Sequence, residues 1–316
     1  MTAKVNDMKN SSVNFICCNE DFRPKYPQSP PLKPSSDRFR LVELIRKNKT
    51  SEDEEEDTND YVRIQLASSG TLFGKEVDLY VNTPPHPSIV QFKGFEYYPQ
   101  HLAITSYYPN GSLQHLLKEI REGKNHPEWD GTMKSKCIFG LVAAVTHVHS
   151  VYDKTEENFA IRYLCPENII FDDQNEPKLI NYVLGCEMLE KQPNAYISPE
   201  LHQYPLVRSS GVDVWDIGMI LYEILTGKLP YHGVNNDKVK DEVMNGKIPE
   251  LPSSTPETEA LIEIIKDCLN TTPNKRPSPK DILDRLAKIA DSLFPDTDKV
   301  EYEKYCKKVL EATAQS

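Results

Sequence analysis

The segment Arg162-Tyr163-Leu164-Cys165-Pro166-Glu167-Asn168-Ile169-Ile170 decides the fold of this 316-residue chain. The pair Asp172-Asp173 follows it and suits a turn into the next strand, in Lys178-Leu179-Ile180-Asn181-Tyr182-Val183. Strand signals dominate up to residue 105, and helix signals dominate from Ser112 onward. The sequence therefore predicts two structurally different parts.

The periodicity of apolar residues predicts the elements of each part. On the N-terminal side, strands are predicted at residues 39–45, 61–66 and 102–105. Asn110-Gly111 predicts a turn, and Ser112 suits the N-cap of a helix with leucines at helical spacing. After this helix, further helices are predicted at residues 133–149, 212–225, 257–269, 278–293 and 299–312. This order predicts an α+β fold with a small sheet lobe and a large helical lobe.

Composition and charge exclude several classes of function. Lys and Arg number 37 against 48 Asp and Glu, which gives a net charge of −11. This balance argues against nucleic acids and membrane surfaces as partners, because both select basic patches. The sequence has no apolar run long enough for a transmembrane helix and no secretory-signal pattern at its N-terminus. Because the secretory pattern is missing, a cytoplasmic location is expected, and the seven scattered cysteines are interpreted as reduced thiols.

Seven short strings in a fixed order indicate a family. They are His86-Pro87-Ser88-Ile89-Val90, Ser106-Tyr107-Tyr108-Pro109-Asn110-Gly111-Ser112-Leu113, the segment quoted first, Lys178-Leu179-Ile180-Asn181-Tyr182-Val183, Ser198-Pro199-Glu200, Asp213-Val214-Trp215-Asp216-Ile217-Gly218 and Lys275-Arg276-Pro277. With these strings the chain resembles the eukaryotic protein kinases, and among them the tyrosine-kinase-like group.

The resemblance covers residues 38–290 and implies a domain organisation. It implies a two-lobed kinase-like fold, with a β-rich N-lobe at residues 38–107, a helical C-lobe at residues 108–290 and a nucleotide cleft between them. The proline-rich residues 1–37 are expected to be a disordered tail. Residues 291–316 are expected to form a C-terminal helical extension.

The resemblance also assigns structural roles to residues of the C-lobe. Asp213 stands where the family buries an aspartate under the catalytic loop, so it should accept hydrogen bonds from that loop. Glu200 should pair with Arg276, and Arg162 is the basic residue retained in the loop itself. Such buried partners hold the C-lobe together whether or not it catalyses a reaction.

The phosphate-binding part of the family pattern is absent from the sequence. The interval between the strands at residues 39–45 and 61–66 should contain a glycine-rich loop, but it has no glycine and seven acids between Thr50 and Asp60. Gln65 stands where the family has its phosphate-pairing lysine, and an amide brings no charge. Arg63 replaces a small alanine beside it and would intrude on the base pocket. Glu76 fits the glutamate that would pair with the missing lysine.

The catalytic positions are altered as well. Tyr163 replaces the proton-accepting aspartate, and its phenol titrates near 10, so it cannot act as a carboxylate at neutral pH. Cys165 replaces the lysine two residues further on, and Asn181 replaces the metal-binding aspartate. Asn168, the other metal position, is retained. Thr105 and Tyr107 complete what the resemblance identifies as a vestigial nucleotide cleft.

These substitutions predict a catalytically inactive member of the family, a pseudokinase, with no catalytic residue, no metal and no cofactor. We expect it to act as a regulatory scaffold or allosteric partner that binds other proteins, an active kinase being one candidate. Two alternatives stay open: a divergent active serine/threonine kinase, and a sensor that binds ATP without magnesium and without reaction.

Two further hypotheses concern the surface of the protein. The amphipathic helix at residues 299–312 either packs on the C-lobe or engages a partner. Ser51, followed by Glu52, Asp53 and Glu54, resembles an acceptor for acidophilic kinases, and an unmodified acidic loop explains the same residues equally well.

Overall fold

The structure is a computed structural model. It describes residues 22–24, 41–47, 60–65, 80, 82–96, 102–106, 110–152, 159–162, 164–180, 182, 194–204, 209–289 and 293–314, of which residues 22–24, 41–47, 60–65, 93–96 and 102–106 are described by backbone alone. The chain divides into two compact units, residues 1–84 with 90–109 and residues 85–89 with 110–316. The predicted boundary after residue 107 lies close to this division, but the short stretch 85–89 belongs to the second unit.

An antiparallel sheet forms the first unit. Its strands are β1 (Phe22–Pro24), β2 (Leu41–Lys47), β3 (Asp60–Gln65), β4 (Phe92–Glu96) and β5 (Leu102–Ser106), in the order β1-β2-β3-β5-β4. Three of these strands, β2, β3 and β5, were expected from the alternation of apolar residues. The expectation missed β4, because the register with β5 shifts between Phe92 and Gly94 and interrupts the two-residue period.

The prediction of an unstructured N-terminal tail is wrong at β1. Phe22, Arg23 and Pro24 pair with Lys47, Arg46 and Ile45 of β2. β1 is at the edge of the sheet order, where a proline is tolerated because an edge strand leaves one row of backbone groups unpaired. The other residues of the predicted tail lie outside the described residues.

The second unit contains the helices and one small sheet. The helices are α1 (Leu113–Arg121), α2 (Gly131–Tyr152), α3 (Pro199–Gln203), α4 (Ser210–Thr226), α5 (Asn236–Met244), α6 (Glu259–Cys268), α7 (Pro279–Lys288) and α8 (Lys299–Thr313). The small sheet pairs β6 (Ile169–Phe171) with β7 (Pro177–Leu179). All six predicted helices are present, and Ser112 caps α1 by accepting a hydrogen bond from the amide of His115 at 3.3 Å.

The core of the second unit lies around α2 and α4. Both helices are apolar on nearly every side and are buried along most of their length, as expected for helices that run through a core. α4 ends at Gly227, whose φ of 68° lies in the left-handed region that favours glycine. No helix within the described ranges is long and apolar enough to cross a membrane.

The last helix, α8, packs on α2 and is part of the second unit. Its Tyr302 is buried and meets Phe139 of α2 edge-on, with the ring centroids 6.1 Å apart. Lys136 of α2 also forms an ion pair with Glu301. Residues 299–313 are therefore an integral part of this unit rather than a separate extension, and the buried face of α8 is occupied by the protein's own core.

His86, in the stretch 85–89, is held between α2 and α8. Its ring lies 4.8 Å from the ring of His147, and its Nε2 lies 3.0 Å from the Thr313 hydroxyl. The amide of Ser88 donates to its Nδ1, and the Thr313 hydroxyl donates to the carbonyl of Val309. These contacts fit a neutral imidazole that carries its proton on Nε2. Burial, and to a smaller extent the nearby His147, lowers the pKa of His86 from its ordinary value of 6.5 to about 3.

We expect this buried imidazole to make the fold less stable in mild acid. Between pH 3 and pH 6.5 the unfolded chain binds a proton at His86 that the folded chain does not bind, so the contribution is fully present above pH 6.5 and falls with pH. Moving from pH 7.5 to 5.5 should cost on the order of 1 kcal/mol of unfolding free energy at this residue. Urea unfolding of the wild type and of His86→Gln at both pH values measures it, because the variant cannot titrate there.

The exposed His232 provides the matched control for this experiment. His232→Gln should keep the pH dependence of the wild type, whereas His86→Gln should lose part of it. Equal loss of stability with pH in the wild type and in His86→Gln would contradict the assignment of a neutral, buried His86.

Candidate functional site

The carboxylate of Asp213 on α4 accepts hydrogen bonds from the loop before β6, at residues 161–162. The amides of Ile161 and Arg162 donate to its two oxygens at 2.8 and 2.7 Å, and His149 Nε2 lies 2.7 Å from one of them. Asp213 is completely buried in the first turn of α4, where the helix dipole favours a negative charge. The hydrogen bonds that the resemblance implied between Asp213 and this loop are present.

One turn further along α4, Asp216 makes the next contact with the same loop. Its carboxyl accepts a hydrogen bond from the amide of Leu164 at 3.0 Å. Burial raises the pKa of Asp216 well above its usual value, and the neighbouring charge of Asp213 raises it further. Two carboxyl groups three residues apart on a helix lie on one face, so α4 presents both to the loop.

Arg162 lies in a strained part of this loop. Its φ is 64°, in the left-handed region that residues with a side chain rarely adopt, and the residue is buried. Such a conformation costs on the order of 1–2 kcal/mol and persists only where its surroundings hold it. The hydrogen bond from the Arg162 amide to Asp213 is one of the contacts that hold it.

The end of the loop leads directly into the small sheet. Pro166–Asn168 forms a single 3-10 turn, closed by the amide of Asn168 donating to the carbonyl of Cys165 at 2.9 Å. The amide of Ile180, just after β7, donates to the carbonyl of Asn168 at 2.8 Å. Cys165 and Asn168 are both buried, and Asn168 has an exposed fraction of 0%.

The second predicted pair, Glu200 with Arg276, is bidentate. The two distances between the guanidinium nitrogens and the carboxylate oxygens are 2.6 and 2.9 Å. Arg276 also donates to the carbonyls of Gly211 and Asn270, and its guanidinium carbon lies 5.2 Å from the ring centroid of Trp215. One buried side chain thus joins the start of α3, the start of α4 and the segment after α6.

A third polar cluster was not predicted. The hydroxyl of Tyr196 donates to the buried carboxyl of Glu223 on α4, and Arg121 at the end of α1 contacts the other oxygen of that carboxyl at 3.1 Å. Burial raises the pKa of Glu223 above its usual range, while Tyr196 and Arg121 act in the opposite direction. The signal was available in the sequence, because a single glutamate within the apolar run of α4 requires a buried partner.

The residues of the predicted nucleotide cleft are described only in part. Arg63 and Gln65 lie on β3 opposite Ile104 and Leu102, whereas Thr105 lies opposite Val62. The grouping of these residues in one cleft stays a prediction. A last group lies outside the described residues: Ser51, Glu76, Tyr107, Tyr163 and Asn181.

Comparison with known proteins gives the same family that the seven sequence strings indicated. The family model of the protein kinase domain matches residues 48–286. A protein of Arabidopsis thaliana named as a "probably inactive leucine-rich repeat receptor-like protein kinase" is 27% identical over 240 residues, which are 68% of this chain and 23% of that protein.

Two further relatives are named as kinases. Tyrosine-protein kinase Btk of Drosophila melanogaster is 28% identical over 220 residues, which are 66% of this chain and 26% of that protein. Serine/threonine-protein kinase VIK of Arabidopsis thaliana is 32% identical over 243 residues, 71% of this chain and 52% of that protein. The chain thus matches about a quarter to a half of the length of these three relatives. Because the family model covers well over half of the chain, this chain belongs to the protein kinase family.

Proposed function

We propose that this protein is a pseudokinase, which uses a protein-kinase fold to bind other proteins and does not transfer phosphate. The observation that carries the proposal is the contrast within one loop. The backbone amides of Ile161, Arg162 and Leu164 donate hydrogen bonds to two carboxyl groups of α4. Between them, position 163 is a tyrosine where the family has the carboxylate that accepts the substrate proton.

The donor set at the matching positions does not fit a magnesium nucleotide. Asn181 offers an amide oxygen where the family has an anionic carboxylate, which a hard cation prefers, so that Asn168 alone of the two metal positions is retained. Asn168 is in addition fully buried. Gln65 brings no positive charge to a phosphate. We therefore derive no chemical step through ATP.

The magnitudes support the proposal. Loss of an acid–base group typically costs 10²- to 10⁴-fold in rate, and loss of one electrostatic stabiliser about 10²- to 10³-fold. Such losses do not add in full, because residues that act as a unit lose their effect together. Even with a large discount for this, the combined changes at positions 65, 163 and 181 and the missing glycine loop should bring phosphotransfer below detection.

We expect no transfer from radiolabelled ATP by the purified full chain, to itself or to general protein substrates, with magnesium or manganese. The triple variant Gln65→Lys, Tyr163→Asp, Asn181→Asp should also stay inactive, because the glycine loop would still be missing. A thermal melt with and without millimolar ATP, each with magnesium or chelator, tests binding separately, because a ligand of the native state raises the midpoint.

The alternative is a divergent active kinase, and the relatives named as kinases favour it. Transfer that Asn168→Ala or Asn181→Ala abolishes would establish this alternative and end the proposal. A thermal shift that occurs without magnesium, together with no transfer, would instead make the protein a nucleotide-binding sensor. If ATP neither shifts the thermal midpoint nor gives phosphate transfer, the result supports a protein that acts by binding other proteins.

A further inference from the structure

Residues 85–89 form a short loop that has few backbone amides able to donate hydrogen bonds. Pro85 and Pro87 have no amide hydrogen, so only His86, Ser88 and Ile89 can donate. The amide of Ser88 donates to its neighbour His86 at Nδ1, and the amide of Ile89 to the carbonyl of His86 at 3.0 Å. The carbonyl of Ser88 accepts from the amide of Leu179 on β7 at 2.7 Å. These five residues belong to the second unit, whereas residues 1–84 before them and residues 90–109 after them belong to the first.

Helix α8 contacts this loop at two points two turns apart. The hydroxyl of Tyr305 lies 2.9 Å from the hydroxyl of Ser88, and the hydroxyl of Thr313 lies 3.0 Å from Nε2 of His86. Residues 305, 309 and 313 lie on one face of the helix, and Val309 between the two contacts is buried. The same face of α8 therefore covers the loop along its length.

The third partner in this contact is a glycine of α2. A β-carbon added to Gly140 would lie 3.1 Å from the Ser88 hydroxyl, 2.7 Å from Cγ of Pro177, and still closer to the Tyr305 hydroxyl. Only a residue without a side chain lets the loop, the ring of Tyr305 and the backbone of α2 approach this closely. The close packing of α8 on the loop therefore depends on the absence of a side chain at Gly140 of α2.

The turn between β6 and β7 adds a second connection. The ammonium group of Lys178 donates to the carbonyl of Pro87 at 2.6 Å and lies 3.5 Å from Glu176. Glu176 also pairs with Lys308 of α8 at 2.6 Å. Loop, turn and helix are therefore linked through one chain of polar contacts.

We propose that α8 is a conformational clamp on the loop at residues 85–89, so that loosening the helix loosens the loop. The clamp consists of two hydroxyl groups: that of Tyr305 contacts Ser88 in the space that Gly140 leaves, and that of Thr313 contacts His86. Loosening α8 would then change the conformation of a loop that leads directly into β4. This inference concerns the fold alone and holds whether or not the chain transfers phosphate.

Hydrogen exchange of the full chain tests the clamp. The reporters are the amides of Ser88 and Ile89, read in the wild type, in Tyr305→Phe, in Thr313→Val and in the double variant. Each variant removes one hydroxyl and keeps the buried body of the side chain, so the fold should persist, and a thermal melt checks this. We expect about five- to tenfold faster exchange at the two amides in each single variant, and more in the double variant.

Two matched controls isolate the effect of the clamp. Thr226→Val makes the same change at the end of α4, where the hydroxyl donates to the carbonyl of Tyr222 within its own helix. Tyr302→Phe removes a hydroxyl from α8 that has no hydrogen bond to the loop among the described contacts. Neither control should change exchange at Ser88 and Ile89. Unchanged exchange there in the double variant would overturn the proposal, and so would an equal increase in the controls.

Discussion

Replacing Arg276 by alanine should lower the free energy of unfolding by about 3–5 kcal/mol, the typical cost of breaking a buried ion pair on one side. The guanidinium of Arg276 has no exposed surface, and the carboxylate of Glu200 is only 11% exposed. The substitution leaves this carboxylate with its charge uncompensated. It also removes the donors for the carbonyls of Gly211 and Asn270, which adds the cost of unsatisfied polar groups.

Arg285 provides a matched control for this measurement. It pairs with Asp267 at 2.7 Å, a distance close to those of the buried pair, but the side chains of both Arg285 and Asp267 are partly exposed. Arg285→Ala should therefore cost less than about 1 kcal/mol, because water screens such pairs. Urea unfolding of both variants at pH 7.5 gives the comparison. If Arg276→Ala costs no more than Arg285→Ala, the buried pair does not carry the stability assigned to it.

The contacts of Asp213 and Arg276 were predictable because each depends on a residue with one clear role in a motif. A charged residue such as Asp213, in a run of apolar residues that is itself buried, needs a fixed set of partners. The cap at Ser112 and the long apolar helices followed from local patterns in the same way. Such patterns keep their meaning without knowledge of the rest of the fold.

Other features depend on residues far apart in the sequence and had no local signal. The docking of α8 depends on Gly140, Ser88 and Tyr305, which meet only in the folded chain. The amphipathic pattern of residues 299–312 predicted a helix but not the surface that its apolar face covers. Strand β1 was missed because three residues with a proline carry no alternation that a sequence can show.

The replacement Asp213→Ala should have a comparably large effect, on the order of 4 kcal/mol of unfolding free energy. It leaves the amides of Ile161 and Arg162 buried without an acceptor, at about 1–3 kcal/mol each. It also removes the contact to His149. Without that acceptor, the left-handed conformation of Arg162 loses one of its supports.

Asp284, which pairs with Lys280 on the surface of α7, is the control for this change. Asp284→Ala should alter the unfolding free energy by less than about 1 kcal/mol. Hydrogen exchange at Ile161 and Arg162 locates the effect, because those two amides should be exposed before the rest of the unit unfolds. The role of Asp213 in holding this loop does not depend on whether the chain transfers phosphate, because its contacts are to the backbone of the loop and to His149. Asp213→Ala should therefore reduce the binding of any partner that contacts the loop. If the variant has the stability of the wild type and wild-type exchange at these two amides, Asp213 does not hold the loop.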